Sequence, residues 1–468
     1  MPLGDLLPEI TLLLSAVLIV LFASFAPQRH QAWGAGLALI TLTLAIGFSV
    51  KQWGAPPQLT FAGVWALDDV AIAAKLLILF SGAVAVALSP DWMRSDRRHG
   101  EYYALCLFAL LGMIMMAAAN DAMELVLGVL LSSTASYPLV AYHRGFTPAL
   151  EAAMKYFLIG ALTNAFLVIG VVLLFGLVGD TDYAVAARAF QAGADPVALS
   201  VALTCILLGL TFKLGAVPAH AWMPDVAQGA PAPIAALLTV APKIGAAVAL
   251  ARFVNLLPEG QVWPSLIALI SVATMTLGNL AALKQTDLRR LLGWSSVSQS
   301  GYMLMAIVVI GTGVAALPAL LAFLAAYALA NLLAFGVVTH LRGRTALEHY
   351  HGLASRRPLV TAALIAALLS LVGIPPLVGF FGKFLLFEVT IAAGYAWLAA
   401  AAAINTVVSL YYYLRVIAVT MFKTPQEAVH TLGHWSWVAL LSTLGLLILT
   451  SLGFQWLLGA LEPITFAG

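Results

Sequence analysis

Apolar residues fill runs of about twenty positions along almost the whole chain, and short polar or proline-rich breaks separate them. Runs of that length match a hydrocarbon core about 30 Å thick. They place spans near 3–25, 32–50, 69–89, 101–118, 121–141, 153–177, 197–217, 230–254, 263–283, 290–311, 314–340, 359–387, 389–420 and 435–459. The alternation of a membrane β-barrel is missing from these segments, and a backbone in lipid must satisfy its own polar groups, so helices follow. The expected fold is an all-α polytopic membrane protein with about fourteen transmembrane helices in a single membrane domain, residues 1–468.

Composition agrees with the pattern. Of 468 residues, 62% are hydrophobic and 9% charged, against roughly 25% charged in soluble domains. The first dozen residues carry Asp5 and Glu9 but no Lys or Arg, so they lack a basic n-region and read as a permanent span. Cys106 and Cys205 stand alone in apolar runs, which argues against iron–sulfur or zinc ligation. "GKF" at 382–384 lacks the flanking residues of a phosphate-binding loop, and no dinucleotide fingerprint is present. The chain is expected to bind neither nucleotide nor redox centre, and nothing in it points to nucleic acid.

Positive charge sets an orientation, because short cytoplasmic loops collect Lys and Arg. Alternate loops hold Arg29; Arg94, Arg97 and Arg98; Arg144; Lys284, Arg289 and Arg290; Arg342, Arg344, Arg356 and Arg357; and Lys423. The other set holds Lys51, Arg188 and Arg252. Thirteen against three puts both termini outside.

Five lysines fall within spans: Lys75, Lys155, Lys213, Lys243 and Lys383. A lysine at a helix centre costs about 2.5 to 3.5 kcal/mol on insertion scales, which demands compensation or function. Lys75 is close enough to its helix start to snorkel, and Lys155 follows Glu151 by one turn, as in a structural ion pair. Lys213, Lys243 and Lys383 have no such simple reading. Each has proline nearby, and proline frees the carbonyl four residues earlier: Pro218 that of Leu214, Pro242 that of Leu238, Pro375 and Pro376 those of Leu371 and Val372. Freed carbonyls at membrane depth need protein or water to satisfy them. Burial disfavours an ammonium and a nearby carboxylate favours it, so an amine balanced between the two gains and loses protons. The pattern is that of a proton relay. His220, two turns beyond Lys213, has a side chain that titrates near neutral pH and is either a relay member or a hydrogen-bonded loop histidine.

The segments "TFKLGAVPAHAWMPDVAQGAPAPIAALLTVAPKIGAA" (211–247) and "GIPPLVGFFGKF" (373–384) resemble the antiporter-like membrane subunits of respiratory NADH:quinone oxidoreductase, complex I. "GEYYALCLFALLGMIMMAAAND" (100–121), "EAAMKYFLIGAL" (151–162) and "DVAQGAP" (225–231) are similar to the subunit N group. The resemblance runs from about Leu76 to Phe422. It implies three N-terminal helices (1–98), two inverted five-helix repeats (99–255 and 256–422) with helices 7 and 12 discontinuous, and a C-terminal helix (423–468). It assigns proton transfer to Lys155, Lys213, Lys243 and Lys383, with Lys284 at the edge of helix 9 in a half-channel. It also implies a hetero-oligomer with other membrane-arm subunits in lipid, in a bacterial plasma membrane. FMN, iron–sulfur clusters and quinone would belong to partner subunits, and this chain would take part in the enzyme without a redox site of its own.

One position departs from the pattern. The resemblance implies a helix 5 glutamate in "GLEL" that pairs with the helix 7 lysine, whereas this chain reads "GVLL" from Gly128 to Leu131, with Leu130 at the acidic position. Glu124 lies six residues earlier, about 600° of turn and 9 Å of rise away, so it is a poor direct substitute. Either the chain conducts protons with altered coupling, using Glu124 after a helix shift, or it keeps the scaffold with impaired translocation. Rival readings are a Mrp-type sodium/proton antiporter subunit and a membrane hydrogenase subunit built on the same module.

Overall fold

In a computed structural model, residues 3–96, 99–193, 195–257, 263–424 and 431–467 are described. Arg97 and Arg98 of the loop charges lie outside them, as does the side chain of Arg29. The helices are α1 (Leu7–Phe25), α2 (Trp33–Gln52), α3 (Asp69–Trp92), α4 (Gly100–Ala118), α5 (Ala122–Val140), α6 (Thr147–Val178), α7 (Tyr183–Gln191), α8 (Pro196–Leu214), α9 (Trp222–Gly229) and α10 (Ala232–Val254). The second half holds α11 (Trp263–Leu283), α12 (Leu288–Val308), α13 (Ala316–His340), α14 (Leu353–Arg356), α15 (Pro358–Val372), α16 (Val378–Ala392), α17 (Ala396–Phe422), α18 (His434–Leu452) and α19 (Phe454–Leu461).

Among the described residues twelve helices are long and apolar enough to cross a membrane. Serines lower the hydropathy of α12 below that of the others, and α15 and α16 share one passage across a break. With these two, the sequence reading of fourteen is accommodated. Outside the expected spans lie the short helices α7, α9 and α14, and a hairpin of β1 (Gln58–Thr60) and β2 (Trp65–Leu67), antiparallel with Leu59 opposite Ala66. The last expected span, 435–459, divides at Gly453 into α18 and α19.

Helix ends follow from local chemistry. Asp68, Asp121, Asp182, Asp195 and Asp287 each accept from first-turn N–H groups as N-caps. The fully buried helices are α10 and α13, which form the centre, while α1, α6, α17 and α18 turn large apolar side chains outward. An apolar exterior around a packed interior is the arrangement of a protein solvated by lipid.

Proline alone does not break a helix here. Pro90, Pro138 and Pro242 lie inside continuous α3, α5 and α10. The helices that carry Lys213 and Lys383 break after Gly215 and Gly373, at φ +65° and +91°, where a left-handed residue ends α8 and α15 before Pro218 and the Pro375–Pro376 pair. Pro242, expected to act like the others, leaves α10 continuous.

Candidate functional site

The three lysines without a simple reading are all buried: Lys213 and Lys243 at 0% exposure and Lys383 at 4%. None of them has a carboxylate partner among the described ion pairs. Lys213, in the last turn of α8, donates to the Ser132 hydroxyl on α5 at 3.1 Å. Lys243, midway along α10, donates to the Ser300 hydroxyl at 2.6 Å and to the Ser296 carbonyl. Its Nζ stands 3.7 Å from where a Cβ at Gly215 would be. It therefore points at the break that ends α8.

Lys383, in the second turn of α16, meets the other break. It donates to the carbonyls of Leu371 and Val372 at 3.0 and 2.9 Å. These are the two acceptors that Pro375 and Pro376 were expected to free. Its ammonium also lies 4.3 Å from the centre of the Tyr302 ring, a cation–π distance.

One helix connects these groups. On α12, Ser300 donates to the carbonyl of Leu214, the residue after Lys213, while its hydroxyl accepts from Lys243. The adjacent Gln299 donates to the Leu371 carbonyl at 3.1 Å, the same oxygen that Lys383 holds. Ser296 and Tyr327 share a hydrogen bond at 2.8 Å, and Tyr327 donates to the Thr239 carbonyl at 2.7 Å. Polar side chains of α12 thus reach both broken helices, Ser300 at the end of α8 and Gln299 at that of α15. Sequence reasoning over single lysines misses α12. The signal was there in "WSSVSQSGY" (294–302), where four serines and a glutamine interrupt an apolar span.

The remaining candidates lie elsewhere. Lys155 is half exposed on α6 and bridges Glu151 at 2.7 Å and Asp225 at 2.9 Å; Asp225 also holds Arg290. Both the expected Glu151 pair and a link to α9 are present. Lys284 is exposed just past α11. His220 lies in the turn between α8 and α9, its ring 5.8 Å from that of Trp294. Glu124 is in the first turn of α5 and lines a cavity with Glu9, not the surroundings of Lys213. Leu130 is 38% exposed and lines an outward groove with Thr134, Tyr137 and Asn164, so its side chain is turned from Lys213 as well. Lys75 does not snorkel. It is 1% exposed and paired with Glu9.

Residues 119–409 match the family model described as "NADH:quinone oxidoreductase/Mrp antiporter, TM". The chain belongs to this family. Among its curated relatives, NADH-quinone oxidoreductase subunit N of Mycobacterium sp. (strain JLS) is 44% identical over 89% of this chain and 88% of its own length. Subunit N 1 of Streptomyces griseus is 41% identical over 97% of both. A chain of respiratory complex I from Thermus thermophilus, solved with bound aureothin, is 31% identical and superposes with a TM-score of 0.83 over 98% of this chain and 100% of that one. A chain of the Mrp complex from Dietzia sp. shares the fold at 20% identity, with a TM-score of 0.83 over 99% of this chain and 97% of that one. Both breaks, after Gly215 and Gly373, fall inside the region that the family model matches.

Proposed function

We propose that this chain is a proton-translocating membrane subunit of a bacterial NADH:quinone oxidoreductase and moves protons along Lys213, Lys243 and Lys383 without redox chemistry of its own. The observation that carries the reading is the contact of Ser300 with both Lys243 and the Leu214 carbonyl, which joins one lysine to the broken end of the helix that bears another. Hydroxyl and amine groups in one chain can exchange protons by rotating, at no cost in helix geometry. The rim group of Lys155, Asp225 and Arg290, with His220 between it and Lys213, supplies the uptake side, and exposed Lys284 adds positive charge there. Glu124 is left out of the route because it faces another cavity.

The reading carries partners with it. Flavin, iron–sulfur and quinone chemistry would belong to other subunits of a hetero-oligomer in the plasma membrane, with both termini of this chain periplasmic. Residues 99–255 and 256–422 would be the two repeats, each owning one broken helix. The test is NADH-driven proton uptake by the intact complex in liposomes, with wild-type chain or Lys213→Ala. The variant is expected to lower the protons moved per NADH. An unchanged ratio would overturn the relay.

A scaffold reading has one observation in its favour: Leu130 stands where an acid is expected, and the neutral Ser132 is what meets Lys213. It predicts that neither Lys213→Ala nor Lys243→Ala alters proton uptake.

A further inference from the structure

A second set of buried charges lies apart from the relay, at the rim where α1, α3 and α5 begin. Lys75 and Glu9 form an ion pair at 2.6 Å, with side chains 1% and 7% exposed. Lys75 also donates to Gln52 Oε1 at 3.4 Å and stands 6.0 Å from the centre of the Trp65 ring. Behind this pair, two polar groups are stranded. Among the described residues Glu9 Oε2 accepts no hydrogen bond and the Trp65 indole N–H donates none, although Glu9 is 6% and Trp65 5% exposed. Both residues line a cavity of about 360 Å³, and Glu124 of α5 lines it too. The other walls are apolar, among them Ile10, Phe61 and Leu111.

Charge and hydrogen bonding define what fits. Two carboxylates face the cavity and one ammonium balances them. The neighbouring Asp121 is already engaged, with Oδ1 capping α5 and Oδ2 accepting from Thr181 at 2.7 Å. Buried groups of this kind in native proteins have partners, so a stranded donor and a stranded acceptor in one cavity point to a guest. The guest must bring a positive N–H donor for Glu9 and Glu124, an acceptor for the Trp65 indole, and apolar matter for the walls. A bare cation leaves the indole unmet. A quaternary ammonium has no N–H to give, and an anionic head without an amine is repelled.

We propose that this cavity binds the headgroup of an aminophospholipid of the phosphatidylethanolamine type, its primary ammonium between Glu9 and Glu124 and a phosphate oxygen at the Trp65 N–H. Outside the cavity, Leu13, Leu14, Leu18 and Leu21 of α1 are 43%, 57%, 62% and 51% exposed and offer a continuous track for an acyl chain. The site is independent of the lysine relay and stands or falls without it.

Native mass spectrometry of the full-length chain in detergent, titrated with phosphatidylethanolamine, phosphatidylcholine or phosphatidylglycerol, tests this. The wild type is expected to bind phosphatidylethanolamine about tenfold more tightly than the other two, a difference that one charged hydrogen bond can supply. Glu124→Gln, at a half-buried position, is expected to keep the fold and lose most of that preference, and Glu101→Gln at the opposite rim to retain it. Equal binding of the three lipids, a preference for phosphatidylglycerol, or a preference untouched in both Glu124→Gln and Trp65→Phe would overturn the proposal.

Discussion

Lys383 reaches back across the gap between α15 and α16 to donate to the carbonyl of Leu371 at 3.0 Å, an oxygen that proline has released from its own helix. The amine caps a broken helix, and in the proposed relay it also exchanges a proton. Lys383→Met is expected to strand the Val372 carbonyl, while Gln299 still holds that of Leu371, at a cost of about 1 to 3 kcal/mol, and to abolish proton transfer through the second half. Lys383→Arg would keep the cap, because a guanidinium stays protonated, and still block exchange. Thermal unfolding separates the variants, Met lowering the midpoint more than Arg, while proton uptake falls in both.

Ser300 carries the next prediction. Ser300→Ala removes the hydroxyl between Lys243 and Leu214 and should cost about 1 kcal/mol of stability. Proton transfer should slow by roughly 100-fold or more, the range seen when a positioned proton-transfer group is removed. Ser300→Thr, which restores the hydroxyl, should recover most of the rate. Single-turnover proton uptake by the complex in liposomes gives the rate.

The acid missing from α5 can be tested at two places. Leu130→Glu puts a carboxylate on the outward groove, so NADH-driven proton uptake by the complex should change little. Ser132→Asp puts one against Lys213, where an opposite charge holds the ammonium, and should slow release from it. An equal effect of both substitutions would contradict the side-chain directions described above.

At the rim, Arg252 grips Asp68 through two hydrogen bonds of 2.8 and 3.1 Å, while the Ala467 N–H donates to the same carboxylate at 2.9 Å. Burial pushes the Asp68 carboxyl up, and Arg252 with the backbone N–H groups of Ala467 and Ala71 outweighs it, so the group lies below its ordinary value. A carboxyl lowered on folding stabilises the protein at pH above its unfolded value and loses that contribution only as pH falls through the folded one. The clamp should therefore hold throughout the neutral and mildly acidic range. Asp68→Asn leaves Arg252 buried without a counter-charge and should cost about 3 to 5 kcal/mol. Thermal unfolding at neutral pH measures the loss.

Hydrophobic run length placed almost every helix, because in lipid a polar backbone has no alternative to local hydrogen bonding. The lysines stood out for the same reason: at 213, 243 and 383 a charge interrupts an otherwise apolar run. Partners were harder to read. Nothing in local sequence says that Lys75 meets Glu9, which is 66 positions away, or that Lys155 meets Asp225 as well as Glu151. The effect of proline was legible only together with the glycine before it, since Pro242 sits in a continuous helix while Pro218 and Pro375 follow left-handed Gly215 and Gly373. Small polar residues were least visible. A single serine such as Ser132 costs little in a membrane helix, so run length gives it no emphasis, yet the Ser132 and Ser300 hydroxyls are what Lys213 and Lys243 touch.

Ser300 and Gln299 are neighbours on α12, and each holds a carbonyl at a different break, Leu214 in the first half and Leu371 in the second. Successive residues on a helix differ in direction by about 100°, so these two grips point apart yet ride on one rigid rod. A small roll or slide of α12 would loosen both latches in a single stroke. One helix is thus the shared camshaft on which both breaks are seated.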